Sequence, residues 1–188
     1  MESTLRNMIL TLFAITFVGS CAVGAIYLLT KEPIETAKKE KVSNAIGMVV
    51  PEFTNDPSED TIVEEQDGGQ LIVYTAKNGE DVVGYAIETY TNNGFSGDIK
   101  LMVGFLPDGT IHNIQVLEQN ETPGLGSKMA DPGNKLIVSF EGKKPSELNM
   151  RVAKEGGDID ALTASTISSK AYVEAVQRAY DKFLTIVK

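Results

Sequence analysis

The chain has 188 residues, 42% hydrophobic and 23% charged, so it can bury a core and is neither disordered nor low in complexity. Its 17 Lys and Arg against 26 Asp and Glu leave a net charge of -9, which repels phosphate backbones and argues against a nucleic-acid partner. One Cys and one His rule out an intramolecular disulfide, a structural zinc site and a Cys-ligated iron–sulfur cluster. No metal is expected, and any redox role requires an organic cofactor.

No charged residue lies between Asn7 and Thr30, and the apolar run over 8–29 would span about 33 Å as a helix, close to the thickness of a bilayer core. A cleaved signal peptide has an apolar core of only about 7–15 residues. Val18-Gly19-Ser20-Cys21 loosely resembles a lipoprotein processing site, but the apolar run continues from Ala22 to Leu29, which cleavage would leave exposed. The reading is an uncleaved membrane anchor over 1–31 followed by one domain over 32–188. That domain carries 25 acidic against 15 basic residues, so the two parts suit different solvents. Basic residues flank the anchor on both sides, with Arg6 before it and Lys31, Lys38, Lys39 and Lys41 after it, so charge leaves the orientation open.

Residues 33–50 read as an amphipathic helix, with Ile34, Ala37, Val42, Ala45, Ile46 and Val49 near helical spacing and Pro51 as its stop. The acidic, turn-rich stretch 52–69 reads as a solvated loop. Strands are expected over 71–76 and 82–91, joined by Asn78-Gly79, and over 99–106 and 111–117, joined by Pro107-Asp108-Gly109. Shorter strand patterns cover 136–140 and 149–154. A helix starts at Thr166 with an apolar stripe of Tyr172, Val176, Ala179, Phe183 and Val187. The fold class is therefore α+β, a mostly antiparallel sheet with flanking helices, and no alternating βαβ pattern supports a Rossmann fold.

Two segments carry candidate chemistry. Glu121-Thr122-Pro123-Gly124-Leu125-Gly126 follows a strand, and its glycines allow a tight turn whose backbone amides approach a ligand closely. Taken alone it is a structural turn; it is not a GxGxxG fingerprint and no Walker lysine follows. The second segment, 160–170, places five hydroxyls in seven positions (Thr163, Ser165, Thr166, Ser168, Ser169) at the start of the last helix. One of them is expected to cap the helix, and a cap needs only one hydroxyl. Helix N-termini also favour phosphate, so the surplus suits a phosphorylated ligand, bound or covalently attached. A hydrolase lacks its base: His112 is the only histidine and sits beside Ile111 on a strand. A Ser-x-x-Lys motif fails because Ile167, not serine, stands three before Lys170.

Together these segments resemble the FMN-binding domain family. Residues 160–169 look like its flavinylation motif, Asp-x-x-(Ser/Thr)-Gly-Ala-Thr followed by further hydroxyls, in which the threonine carries FMN through a phosphodiester. Residue by residue, the acceptor is Thr166. The Glu-Thr-Pro-Gly-Leu-Gly loop recurs in the family against the flavin, and Gly94-Phe95-Ser96-Gly97 followed by Ile99-Lys100-Leu101-Met102-Val103-Gly104 resembles its lead-in to the central hairpin. The chain departs from the motif at Ala164-Ser165, where Gly-Ala is usual, which sets a second hydroxyl beside the acceptor. Within the family the similarity is to the G subunits of Rnf-type ion-translocating electron transport complexes. The C subunits of sodium-pumping NADH:quinone reductases are similar but generally longer.

The resemblance implies a membrane-anchored electron carrier with covalent FMN, its domain on the periplasmic side. The complex would couple ferredoxin:NAD+ electron transfer to sodium or proton movement. Cofactor contacts are expected at Glu121, Thr122, Gly124, Leu125, Gly126, Thr163, Ser165 and Ile167 around Thr166, with no catalytic residue of the chain's own. The expected partners are membrane and iron–sulfur subunits and, for maturation, a flavin transferase. From a different class, a flavin-free anchored assembly domain would share the fold and lack the yellow colour. A lipoprotein binding module would carry lipid on Cys21.

Overall fold

The computed structural model describes residues 4–66 and 68–187. The chain divides into two units, Met1–Lys41 and Val42–Lys188. One helix, α1 (Leu5–Val49), begins in the first unit and ends in the second.

In the first unit α1 is exposed throughout; it is apolar up to Thr30, with a mean hydropathy of 2.2 over its candidate membrane-spanning window, and charged from Lys31 to Lys41. Its hydroxyls do not compete with the apolar surroundings. Thr11 Oγ1 donates to the Asn7 carbonyl at 2.8 Å, Thr16 Oγ1 to Leu12 at 3.0 Å and Thr30 Oγ1 to Ile26 at 2.9 Å. Pro33, expected to open a new helix, lies inside this one. A proline removes only its own N–H bond to the carbonyl four residues back, here Leu29, and the helix formers after it (Glu35, Ala37, Lys38, Lys39) carry the turn forward.

The second unit is built on five antiparallel strands in sequential order: β1 (Thr61–Gln66), β2 (Gly69–Asn78), β3 (Asp81–Thr91), β4 (Ile99–Phe105) and β5 (Ile111–Glu118). Alternation along the strands sends one set of side chains to each face. On one face Val73, Ile87, Leu101, Val103 and Phe105 pack against Ala175, Val176, Ala179 and Phe183 of the last helix, α3 (Thr166–Ile186). On the other, Tyr74, Ala76, Ala86, Met102 and Leu117 are covered by Ala45, Ile46, Val49 and Val50 at the end of α1. Gly104 allows that approach, since any Cβ there would strike the Val49 carbonyl. Burial of Tyr74 beside Glu88 pushes its phenol up to about 12.

Three expectations change. The 52–69 stretch contains β1, an edge strand whose six residues are all exposed, so no hydrophobic alternation marks it. Residues 136–140 form a helix, α2 (Lys135–Phe140), instead of a strand. Asn134 starts it by accepting from the amides of Leu136 at 3.0 Å and Ile137 at 3.2 Å, and a five-residue segment with four apolar residues is too short for its period to prefer extension. Residues 149–154 contribute only an isolated bridge, Val152 to Ile159, and a 3₁₀ turn at Ala153–Glu155.

Candidate functional site

The site is organised by one buried carboxylate. Glu121 follows β5 and is 4% exposed. Its Oε1 accepts from the Ser96 amide at 3.0 Å, and its Oε2 accepts from Ser168 Oγ at 2.5 Å, a length typical of a charge-assisted bond. These two bonds tie the 94–97 loop, the 121–126 loop and the first turn of α3 to one point. Two glycines make room for it. A Cβ on Gly94 would come within 2.8 Å of Glu121 Oε1, and one on Gly126 would lie 2.7 Å from both Glu121 Oε2 and Ser168 Oγ. Gly124 turns the loop with φ of 76°, its amide donating to Ser127 Oγ at 3.0 Å. Thr122, Gly124 and Leu125 are exposed on that turn.

The hydroxyl cluster divides into two kinds. Ser169 is fully buried and structural: its Oγ accepts from the Leu162 amide at 3.0 Å and donates to the Ser165 carbonyl at 2.8 Å. Ser168 holds Glu121. Neither caps the helix. Ser165 occupies the N-cap position with φ of -135° and ψ of 47°, and makes no side-chain capping bond. Its Oγ is buried with no hydrogen-bond partner, a state that costs about 1–3 kcal/mol unless a partner is supplied. Thr166 beside it is half-buried, and Thr163 and Ile167 are exposed. The expectation that one of these hydroxyls caps α3 is not met, because the backbone at Ser165 turns its side chain inward.

Ala164 explains the usual glycine of the motif. It holds φ of 59°, a left-handed conformation that costs an L-residue about 1–2 kcal/mol. The strained link brings Thr166 to the helix start directly after an exposed turn at Thr163-Ala164 and the buried Ser165. Strain, an unpartnered buried hydroxyl and an uncapped 21-residue helix coincide at this one place. An anionic group on Thr166 fits: the first-turn amides and the helix dipole favour negative charge there, and Ser165 is a donor awaiting an acceptor.

Sequence reasoning placed Glu121, Gly126, Ser165 and Thr166 in one neighbourhood, and the structure assembles them through Ser168. It missed Ser96 and Ser168 as partners of Glu121: Ser168 belongs to the hydroxyl cluster, which by sequence suits a phosphorylated ligand, and Ser96 lies outside it. It also missed Phe95. Phe95, Leu125 and Ile167 are 66%, 42% and 54% exposed, and each directly precedes a residue (Ser96, Gly126, Ser168) that abuts the Glu121 carboxylate. They supply apolar surface from two loops and the first turn of α3. A cavity of about 830 Å³ begins one residue beyond Thr166, at Ile167 and Lys170, and runs along the outer side of α3 to β1; it includes neither Thr166 nor the 121–126 loop.

These features define an FMN-binding domain, and residues 94–181 match that family's model, a span holding all three loops. Over nearly its whole length the chain is similar to named relatives. It is 34% identical over 183 residues to the G subunit of the ion-translocating oxidoreductase complex of Vibrio atlanticus, covering 93% of this chain and 87% of that one. It is 37% identical over 184 residues to the protein of the same name from Erwinia tasmaniensis, covering 92% and 86%. Among solved structures, Shewanella oneidensis NqrC superposes with a TM-score of 0.46 at 20% identity, covering 75% of this chain and 72% of that one. The chain belongs to the family of G subunits of ion-translocating oxidoreductase complexes.

Proposed function

We propose that the chain is the membrane-anchored electron carrier of an Rnf-type complex, with FMN joined by a phosphodiester to Thr166. Residues 1–31 serve as the anchor and 32–188 as the flavin domain, held on the extracytoplasmic side. FMN supplies the ability to accept and release one or two electrons. The remaining work falls to the chain. Thr166 Oγ1 would hold FMN as a phosphodiester, an Oγ1–P bond formed as the transferase breaks the phosphoanhydride bond of a flavin dinucleotide, with the nucleoside monophosphate and the threonine proton leaving. The free amides opening α3 offset the phosphodiester charge, and Ser165 Oγ donates to it. Glu121, gripped by Ser96 and Ser168, fixes the three loops in register, and Leu125 and Ile167 offer apolar surface to the flavin with Thr122, Thr163, Gly124 and Gly126 around them. A covalent link prevents cofactor loss where replacement is not at hand. Membrane and iron–sulfur partner subunits would exchange electrons with it, and the complex as a whole would couple ferredoxin:NAD+ transfer to sodium or proton movement.

The observation that carries this reading is the buried, unpartnered Ser165 hydroxyl beside a half-buried threonine at an uncapped helix start. The test is the intact mass of the chain made in a host with its flavin transferase. Wild type should gain the mass of FMN less one water and fluoresce in a denaturing gel, and Thr166→Ala should lose both. No added mass despite an active transferase overturns covalent attachment and favours the flavin-free assembly domain. An adduct retained in Thr166→Ala moves the attachment point, with Ser165→Ala as the next variant.

A further inference from the structure

The sheet has two edges, and they are treated differently. At the β5 edge, the Ile111 amide donates to the Lys143 carbonyl at 2.9 Å and the Gly142 amide donates to the Ile111 carbonyl at 2.8 Å, so the loop after α2 covers the start of that strand. At the other edge β1 pairs with β2 and, among the described residues, with no further strand. The register sets Gln66 opposite Gly69 across a two-residue connection. Narrow, doubly bonded pairs therefore fall at Gln66, Glu64 and Ile62, and the backbone donors and acceptors of Thr61, Val63 and Glu65 face outward.

We infer that this open edge receives a basic, extended segment of another protein of the complex, which adds to β1 as a further strand. Two independent features of β1 specify such an occupant. The first is apolar. Ile62 and Val63 are 46% and 53% exposed, adjacent in sequence and on opposite faces. Ile62 stands opposite Val73 of the α3-side core, and Val63 opposite Ile72, which packs against the core under α1. Each is thus the bare rim of one core, and an added strand with alternating side chains covers both. The second feature is charge. Between Val42 and Ala76 the sequence has seven Asp and Glu and no Lys or Arg. Glu64 is engaged by Lys182 of α3, whereas Glu65, on the opposite face, accepts from the neutral Gln70 amide at 3.3 Å.

Charge on an edge strand guards against chance self-pairing. Here it also selects the occupant. A second copy of this chain, with a net charge of -9, would bring like carboxylates together along the paired edges. Lysines and arginines on an incoming strand would meet Glu65 and its acidic surroundings favourably. Membership of a family whose proteins are parts of a complex supplies other chains as neighbours. The inference does not depend on where, or whether, flavin is attached.

The test uses the complex purified from membranes of a host making the full chain, compared with the chain alone. In the complex, amide exchange at Thr61, Val63 and Glu65 should slow by about tenfold or more, while Ile62, Glu64 and Gln66 remain protected in both states. A photo-crosslinking residue in place of Thr61 should capture a Lys- or Arg-rich segment of another protein of the complex, identified by mass spectrometry. Val63→Pro removes an outward donor without touching the β1–β2 bonds, and Glu65→Lys reverses the charge. Each should lower the amount of chain retained in the complex several-fold while the variant chain alone keeps a cooperative thermal unfolding transition, which shows that it has folded. Equal exchange in both states, capture of a second copy or of nothing, or unchanged retention of both variants would overturn the inference.

Discussion

The turn between β4 and β5 and the start of α3 are made from the same kind of residue, short polar side chains around a reversal of the chain, yet they end in opposite states. At the turn every polar group has a partner, the hydrogen bonds of Asp108 closing within two residues and its one distant contact being a surface ion pair. Asp108 accepts from the Thr110 amide and from Thr110 Oγ1, both at 3.0 Å, and pairs with Lys144 at 3.0 Å. The residue needing a positive φ is a glycine, Gly109 at 86°. At the start of α3 the positive φ falls on Ala164, the N-cap hydroxyl has no partner, and the carboxylate serving the region comes from 47 residues away. A segment that only reverses the chain satisfies itself. One that keeps strain and an unanswered donor is held there by its surroundings for something that binds.

That contrast can be broken most severely at Glu121. Glu121→Ala removes the acceptor for a buried hydroxyl and for the Ser96 amide at once, and should cost about 3 kcal/mol, read as a lower urea midpoint. Glu121→Gln keeps a carbonyl oxygen for one of the two and should cost less. If Ala and wild type unfold together, the carboxylate does not organise the three loops. Next comes Ser169→Ala, which leaves the buried Leu162 amide without its acceptor and should cost about 2 kcal/mol by the same measurement. Ala164→Gly runs the other way. Relief of the left-handed alanine should stabilise the chain by about 1 kcal/mol, partly offset by the freer unfolded glycine, and the flavin adduct on Thr166 should persist. A destabilised Ala164→Gly would mean that the strain at this positive φ is smaller than the entropy the unfolded glycine gains.

The sequence made half of this contrast visible. Asn78-Gly79 and Pro107-Asp108-Gly109 announced two hairpins, alternation marked β2 to β5, and the apolar stripe placed α3 from Thr166. These signals are local, confined to residues that are neighbours in the chain. β1 escaped notice because no residue of it is buried, and its place is set by pairing with β2. α2 was misread because Leu136, Ile137 and Phe140 are buried with Val138 exposed, a helical pattern too short to separate from extension without its Asn134 cap. At the site, the family motif marked Thr166 and the 121–126 loop. The bonds that join them, Ser96 to Glu121 and Glu121 to Ser168, link residues distant in sequence, and no spacing rule reaches that far.

The mildest perturbation belongs to the turn, and it sharpens the comparison through pH. Asp108 is held at about 2 against an ordinary 3.8, chiefly by the Thr110 amide and then by Lys144 and the Thr110 hydroxyl. A depressed carboxyl favours the folded state when ionised. Its contribution is therefore complete above about pH 4 and disappears as pH falls through about 2. Because the group lies at the surface, the effect on unfolding should be small and should shrink further in salt. Asp108→Asn keeps an acceptor for Thr110 but cannot ionise. The difference in melting temperature between wild type and Asp108→Asn should be constant from pH 7 to about pH 4 and close between about 4 and 2. A difference that stays constant down to pH 2 would show that the turn gains nothing from the charge, leaving neutral hydrogen bonds to account for its self-sufficiency.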